Sequence, residues 1–307
     1  MRLFKSNPCK IVYRSEYLTA VHSRSSYRTF DPMRFKKIYD KLITDRLIKR
    51  KDIIRPAAVS EEDILLVHTE EYLNSLKNPM IVGEILNLDY VDPWDNYVLE
   101  YFRYMVGGTI VAAQYALENN TTVFNLGGGY HHAHPIKGEG FCLLNDAAIA
   151  IEKHKLEFGI KKVLVIDLDY HQGNGILLFY KNNPDVFTFS MHADNWEEID
   201  KTNNIDLELP AHTKDEEYLK ILMDRLPPVF SNFNADLAIY LAGSDPFIDD
   251  EIGDFDISAA AMLKRDMFVH NEVRKRKIPL VVLAAGGYGQ GSWQIYYNFI
   301  KWVIRNG

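Results

Sequence analysis

Between Val163 and Gly175 the chain reads VLVIDLDYHQGNG, and Asp167, Asp169 and His171 in that stretch are residues of the kind that bind metal. Spaced two apart, they would share one face if the strand beginning at Val163 persists through them. Carboxylate and imidazole together give the mixed oxygen and nitrogen ligation that suits a catalytic zinc with room left for water. Gly173 and Gly175 follow and let the backbone turn tightly beside such a site. A lone D-x-D at a strand end also serves as ordinary capping. Here a histidine two residues further on, after a run as apolar as Val163 to Ile166, points to metal.

A second set of chemical residues is the histidine pair His131-His132, preceded by Gly127-Gly128-Gly129. The lysine and Ser/Thr of a Walker loop are absent, so a phosphate cradle is excluded. The better interpretation is a glycine turn that exposes two imidazoles at a strand end, and histidine is the usual proton carrier near neutral pH. Asp245, in AGSD, and Tyr288, in AAGGYG, complete the set.

The elements that must position these residues follow from the pattern of apolar runs. Strands are expected at about Lys10–Tyr13, Thr122–Asn125, Val163–Ile166, Val186–Met191, Leu237–Leu241 and Leu280–Leu283. Runs of this kind suit a parallel sheet buried on both faces. Helices are expected from Asp31-Pro32 to about Lys49, after the Ser60 and Thr69 caps, from about Asp95 to Glu118, and from Asn145-Asp146 to Phe158, where Gly159 stops the chain. Further helices are expected from Asp215 to the break at Pro227-Pro228, from Asp256 or Ser258 to the basic end at Arg274–Lys277, and from Ser292 to Arg305. Residues 14–30, 78–95 and 192–204 read as irregular, and Trp196 in the last of these either lines a pocket mouth or covers a core edge. The Gly107-Gly108 pair inside a helix implies either close packing or a tolerated flexible pair.

Composition bounds the function. At 307 residues and 47% hydrophobic, the chain is long enough for a large core. A net charge of −7 without a basic tract excludes nucleic acid as the expected partner. No run approaches a membrane span and the start lacks a signal-type apolar core. Two cysteines, Cys9 and Cys142, fit a reducing, cytoplasmic setting.

Four apolar strands each finish in polar or glycine-rich residues: His131-His132, Asp167/Asp169/His171, Asp245 and Tyr288. In open α/β sheets ligands sit outside the carboxyl ends of the strands, so these residues fall where one site would gather them. Three ligands with open coordination, a proton-moving histidine pair and a tyrosine donor suit hydrolysis of an amide.

These residues carry a family resemblance. The chain resembles zinc-dependent histone deacetylases of the arginase-like fold, and most of all class IV. The resemblance lies in EEDILLVHTEEYL (61–73), GGTIVAA (107–113), NLGGGYHHA (125–133), GEGFCLLND (138–146), VIDLDYHQGNG (165–175), AGSD (242–245) and AAGGYG (284–289). It implies one catalytic domain over residues 1–307, an α/β fold with a central, mostly parallel sheet between helices on both faces. By resemblance, Asp169, His171 and Asp245 are zinc ligands, His132 the general base and then acid, and His131 its charge-stabilising partner. Asp167 stands behind His131, Asn174 stands behind His132 as in classes II and IV, and Tyr288 polarises the acyl carbonyl. Gly140, Phe141 and Gly287 line the acyl-lysine tunnel. A structural potassium ion is implied at backbone carbonyls near Asp167, Asp169, His171, Ser190 and Met191, with the Asp167 carboxylate contributing.

The implied reaction releases a carboxylate and a free amine, with water deprotonated by His132 attacking the polarised carbonyl. The class IV resemblance extends the expected acyl group from acetyl to long-chain fatty acyl. Two segments, 14–30 and His134-Pro135-Ile136-Lys137, depart from the class IV rim. Acylated lysine in a protein or peptide is the expected partner; small acylated amines such as acetylpolyamines are the alternative, since no residue fixes the amine. An arginase-like dimanganese enzyme would need further carboxylates, for which only Asp249, Asp250 and Asp254 are near. A silent acyl-lysine binding module would have lost a ligand or the tyrosine, and neither is lost here.

Overall fold

The computed structural model describes residues 9–18, 31, 33–88, 97–199 and 202–306. Eight strands form one sheet: β1 (Cys9–Val12), β2 (Ile53–Ile54), β3 (Thr122–Asn125), β4 (Val163–Asp167), β5 (Val186–His192), β6 (Asn204–Glu208), β7 (Leu237–Leu241) and β8 (Leu280–Leu283). Their order is β2-β1-β3-β8-β7-β4-β5-β6, and every pairing is parallel rather than most of them. The four central strands are buried at every position, which is why they read as unbroken apolar runs.

The helices are α1 (Arg34–Thr44), α2 (Glu61–Ile64), α3 (Glu70–Ser75), α4 (Pro79–Ile85), α5 (Tyr97–Asn119), α6 (Asp146–Phe158), α7 (Asn174–Tyr180), α8 (Asp215–Arg225), α9 (Pro227–Asn232), α10 (Ala259–Arg274) and α11 (Ser292–Asn306). They flank the sheet: α5 packs on α6 and against β3 and β8, while α11 packs on α1 and α10. Among the described residues no helix is long and apolar enough to cross a membrane.

Caps act where their chemistry demands. Ser60, Thr69, Asn145 and Ser258 each accept a hydrogen bond from the backbone N–H three positions on, at the third residue of the helix. Gly159 closes α6 in the left-handed conformation at φ 64°. The Gly107-Gly108 pair is a close-packing device: a Cβ on Gly107 would stand 1.9 Å from the Ala57 carbonyl oxygen, and one on Gly108 would stand 2.0 Å from the Tyr17 hydroxyl.

Three expectations need correction, and one falls largely outside the described residues. The first helix spans Arg34–Thr44 rather than 31–49, because Asp31 accepts from the Met33 N–H in a turn ahead of the helix; Pro32 lies outside the described residues. The irregular stretch from Asn78 contains α4, capped by Asn78 with Pro79 at its first position. Two edge strands, β2 and β6, were not expected; one has two residues and the other is half-buried and polar. Of the 14–30 segment, everything from residue 19 on lies outside the described residues.

Candidate active site

The most consequential correction concerns the central motif. Strand β4 ends at Asp167, so Asp169 and His171 are not carried on its pleat. Successive side-chain turns bring them together: the Asp169 N–H donates to Asp167 Oδ1 at 3.1 Å, and the His171 N–H donates to Asp169 Oδ1 at 3.1 Å. Asp245 arrives at the end of β7. His171 Nδ1 then lies 3.2 Å from Asp169 Oδ1 and 3.2 Å from Asp245 Oδ2.

These three residues offer ligand atoms all within 4.8 Å of one another. Both carboxylates are fully buried, with Asp169 Oδ2 accepting from the Gly286 N–H at 2.7 Å and Asp245 Oδ1 from the Tyr170 N–H at 3.0 Å. Gly243 and Gly286 hem them in; a Cβ on either would stand 2.6 Å or less from both carboxylates. Burial, and then the neighbouring Asp169 charge, push Asp245 up to about 7. Burial alone would lower His171, but its hydrogen bonds to Asp169 and Asp245 raise it to about 10. Two carboxylates forced together, with an imidazole facing them, are relieved when a dication takes the proton's place, so the donor set fits zinc. The carboxylates considered for a second metal lie elsewhere. Asp250 accepts from the Tyr288, Ile252 and Gly253 N–H groups, and Asp254 accepts from the Tyr170 hydroxyl.

The histidine pair leaves β3 through Gly128 and Gly129, both at positive φ. Asp146, at the first position of α6, holds this turn: Oδ1 accepts from the Gly129 and Tyr130 N–H groups at 3.0 and 2.8 Å, and Oδ2 from Thr109 Oγ1 at 2.5 Å. His131 Nδ1 is 2.7 Å from Asp167 Oδ2, and His132 Nδ1 is 2.8 Å from Asn174 Oδ1. Their environments diverge. Burial would lower His131, but Asp167 and Asp169 raise it to about 9. Burial, reinforced by His131 and His171, drives His132 well below its ordinary value. Paired groups with protonation pushed apart are the mark of an acid–base site.

Tyr288 follows β8, its ring edge-on to His171 with centroids 6.1 Å apart and its backbone N–H on Asp250 Oδ2 at 2.7 Å. Burial, then the charges of Asp169 and Asp245, keep its hydroxyl protonated. Phe141 lies 5.9 Å from the Tyr288 ring. It sits with Gly140 in a tight turn closed by the Cys142 N–H on the Glu139 carbonyl at 2.9 Å, both central residues at positive φ. That is a costly conformation for phenylalanine and an easy one for Gly140, whose Cβ would stand 2.4 Å from the His132 ring. Gly287, at φ 138°, presents its carbonyl to the buried Arg34 guanidinium at 2.9 Å. Ser190 Oγ and Met191 are buried at the end of β5, and Ser190 Oγ has no hydrogen-bond partner among the described residues. An orphaned hydroxyl beside Asp167, its partner in the ladder, fits an oxygen-seeking monovalent ion.

Trp196 stands beside the site, the first of the two places expected for it, while its supports carry no local signal in the sequence. Trp196 stacks on His132, and Gln172, wholly buried, accepts from the Trp196 and Glu197 N–H groups at 2.8 and 2.9 Å and so fixes that loop. His68 braces the far side: it accepts from the Asn145 N–H at 3.0 Å on Nε2, and its Nδ1–H reaches the His134 carbonyl at 2.9 Å.

A metal-capable cluster with an acid–base pair at the carboxyl edge of a parallel sheet is an arrangement for metal-assisted hydrolysis. The family model for the histone deacetylase domain matches residues 28–299, and the chain belongs to that family. It is 33% identical to Histone deacetylase 2 of Arabidopsis thaliana over 97% of this chain and 79% of that protein. It is 30% identical to the acetoin utilization protein AcuC of Bacillus subtilis over 92% of this chain and 78% of that one. Histone deacetylase 8 of Xenopus tropicalis is 26% identical over 84% of this chain and 74% of its own length.

Proposed function

We propose that this chain is a zinc-dependent hydrolase that removes acyl groups from lysine side chains of proteins, a cytoplasmic deacylase of the class IV kind. The observation that carries this is the meeting of Asp169, His171 and Asp245 beside two histidines whose protonation is driven in opposite directions. Membership of the histone deacetylase family supports the deacylase chemistry. Two buried thiols without a disulfide agree with a reducing compartment.

Asp169, His171 and Asp245 would hold the zinc. When bound, it supplies a Lewis acid for the amide carbonyl and makes water more acidic. The chain's own residues do the rest. His132 gives its Nδ1–H to Asn174 Oδ1, which leaves Nε2 free to accept a proton from the attacking water and return it to the departing amine. His131, held on Asp167, orients that water and offsets negative charge. Tyr288 donates to the developing oxyanion, which strengthens as charge grows in the transition state. Phe141 and Trp196 shield the acyl-lysine stem from solvent. Asp167, Asp169, His171, Ser190 and Met191 would hold a structural potassium ion, chiefly through backbone carbonyls.

The test is release of acyl groups by purified, zinc-loaded protein from one lysine peptide carrying either acetyl or myristoyl, beside a chelated control. Chelator-sensitive release of either group bears the proposal out, and the ratio reads the depth of the acyl pocket. No release from either, with zinc confirmed bound, overturns lysine as the substrate and directs the assay to acetylpolyamines.

A further inference from the structure

The imidazole that accepts the proton in the proposed reaction has no carboxylate behind it. Asn174 occupies that position, and an amide carbonyl cannot by itself offset the charge of an imidazolium. A carboxylate does stand one hydrogen bond further out. Asn174 Nδ2 donates to Glu139 Oε1 in a short contact, while its Oδ1 takes the His132 Nδ1 proton at 2.8 Å. The two contacts fix the amide's orientation, since only Nδ2 can give a proton to a carboxylate and only Oδ1 can accept one from Nδ1–H.

Glu139 is itself held. His134 Nε2 is 2.8 Å from Oε1, and Lys137 Nζ is 2.8 Å from Oε2. A carboxylate only accepts, so His134 carries its proton on Nε2 and converges with Asn174 Nδ2 on the same oxygen; the 3.1 Å between those nitrogens is a shared acceptor, not a bond. Burial would raise Glu139, but the hydrogen bonds from Lys137, Asn174 and His134 keep it ionised. The turn cannot drift, because Gly140 lies against the His132 ring and His134 N–H donates to the Lys137 carbonyl at 2.8 Å. The segment 134–137, which departs from the class IV rim, thus serves to hold this carboxylate.

We propose that Glu139 is a positioning residue for His132, acting through Asn174 as a polarised bridge. This rests on His132 being the proton-transfer base. A carboxylate accepting from the amide NH2 increases the electron density on Oδ1, so Oδ1 holds Nδ1–H more firmly and the imidazolium is favoured as it forms.

The experiment compares wild type with Glu139→Gln, Asn174→Asp and the double variant, all zinc-loaded. In Glu139→Gln, kcat on the acyl-lysine peptide is expected to fall about tenfold to a hundredfold with KM little changed, a smaller loss than removal of a carboxylate in direct contact. Asn174→Asp in that background places the charge directly behind His132 and is expected to restore most of the rate. Independently of turnover, the His132 Nδ1–H resonance in histidine-labelled protein should move upfield in Glu139→Gln. If Glu139→Gln folds poorly, Glu139→Asp keeps the charge but withdraws it from Asn174 Nδ2, and about a twofold to fivefold loss with the same direction of shift is expected. Unchanged kcat with an unmoved resonance overturns the relay, and so does a loss that Asn174→Asp does not restore. Absence of turnover in wild type overturns the proposed function, while the resonance still decides the relay.

Discussion

The indole of Trp196 lies parallel to the imidazole of His132, with 4.1 Å between ring centroids and 6° between planes. The tryptophan is 45% exposed, so its outer face meets solvent while its inner face covers the histidine. Aromatic contacts of this kind contribute about 1 kcal/mol to the folded state, so Trp196→Ala is expected to lower the melting temperature by about 1–2 °C and, by opening His132 to water, to lower kcat/KM roughly fivefold. Gln172→Leu, which releases the loop that carries Trp196, should reproduce the loss. Steady-state kinetics with a melting curve on each variant checks both.

Tyr288 and His132 have the largest expected effects. Tyr288→Phe and His132→Ala should each cut kcat by about a hundredfold to a thousandfold and leave the fold intact, since each loses a group that acts in the transition state. Asp250→Ala removes the acceptor of the Tyr288 N–H, and the resulting misplacement is expected to cost up to about a hundredfold. Near-normal turnover in purified Tyr288→Phe would remove the tyrosine from its role.

Stripping the metal should destabilise the protein as well as silence it. Asp169 and Asp245 are buried like charges, and a ligand present at a thousandfold over its Kd stabilises the folded state by about 4 kcal/mol. A chelator is therefore expected to lower the melting temperature of wild type and leave that of Asp245→Ala unmoved. Metal content per chain, measured on the same samples, should be one zinc in wild type and none in the variant.

His68 makes the fold sensitive to acid. Burial lowers it to about 4, against an unfolded value near 6.5, so the folded protein keeps it neutral. The stability this contributes is complete above pH 6.5 and is lost as pH falls towards 4, on the order of 3 kcal/mol in all. Thermal melts between pH 7 and 4 should show that decline, and His68→Asn should be less stable at pH 7 but flatter over the acid range.

What the sequence makes legible depends on how local the cause is. The four central strands announce themselves because burial on both faces leaves no polar position, and their polar ends mark the site edge. The edge strand Asn204–Glu208 does not, because three of its five residues are polar and only two are not at least partly open to solvent. The sharing of one strand face by Asp167, Asp169 and His171 was a sound rule applied past the strand's end; backbone turns, not pleat, bring them together. The Asn78-Pro79 pair carried the same helix signal as Asp31-Pro32, and its helix was there to be found. Trp196 meets His132 from 64 positions away, Gln172 holds Trp196 from 24 and Glu139 reaches Asn174 from 35, and nothing in their own neighbourhoods records which partner the fold will choose.

The sheet order has a consequence for how each molecule comes to maturity. The histidine pair follows β3 and two carboxylates follow β4 and β7, but β3 and β7 touch only through β8, which lies between them. Leu280–Leu283 is the last strand to leave the ribosome, and with it come Gly286 and Tyr288. Until that strand slots into the middle of the sheet, the two halves of the site have no common floor. A nascent chain that stops short of β8 has Asp169, His171 and Asp245 beyond the paired strands β4 and β7, but lacks the Gly286 N–H that holds Asp169 and lacks Tyr288. Completion of the site, with Tyr288 and the Gly286 N–H on Asp169, therefore falls to the last of the eight strands.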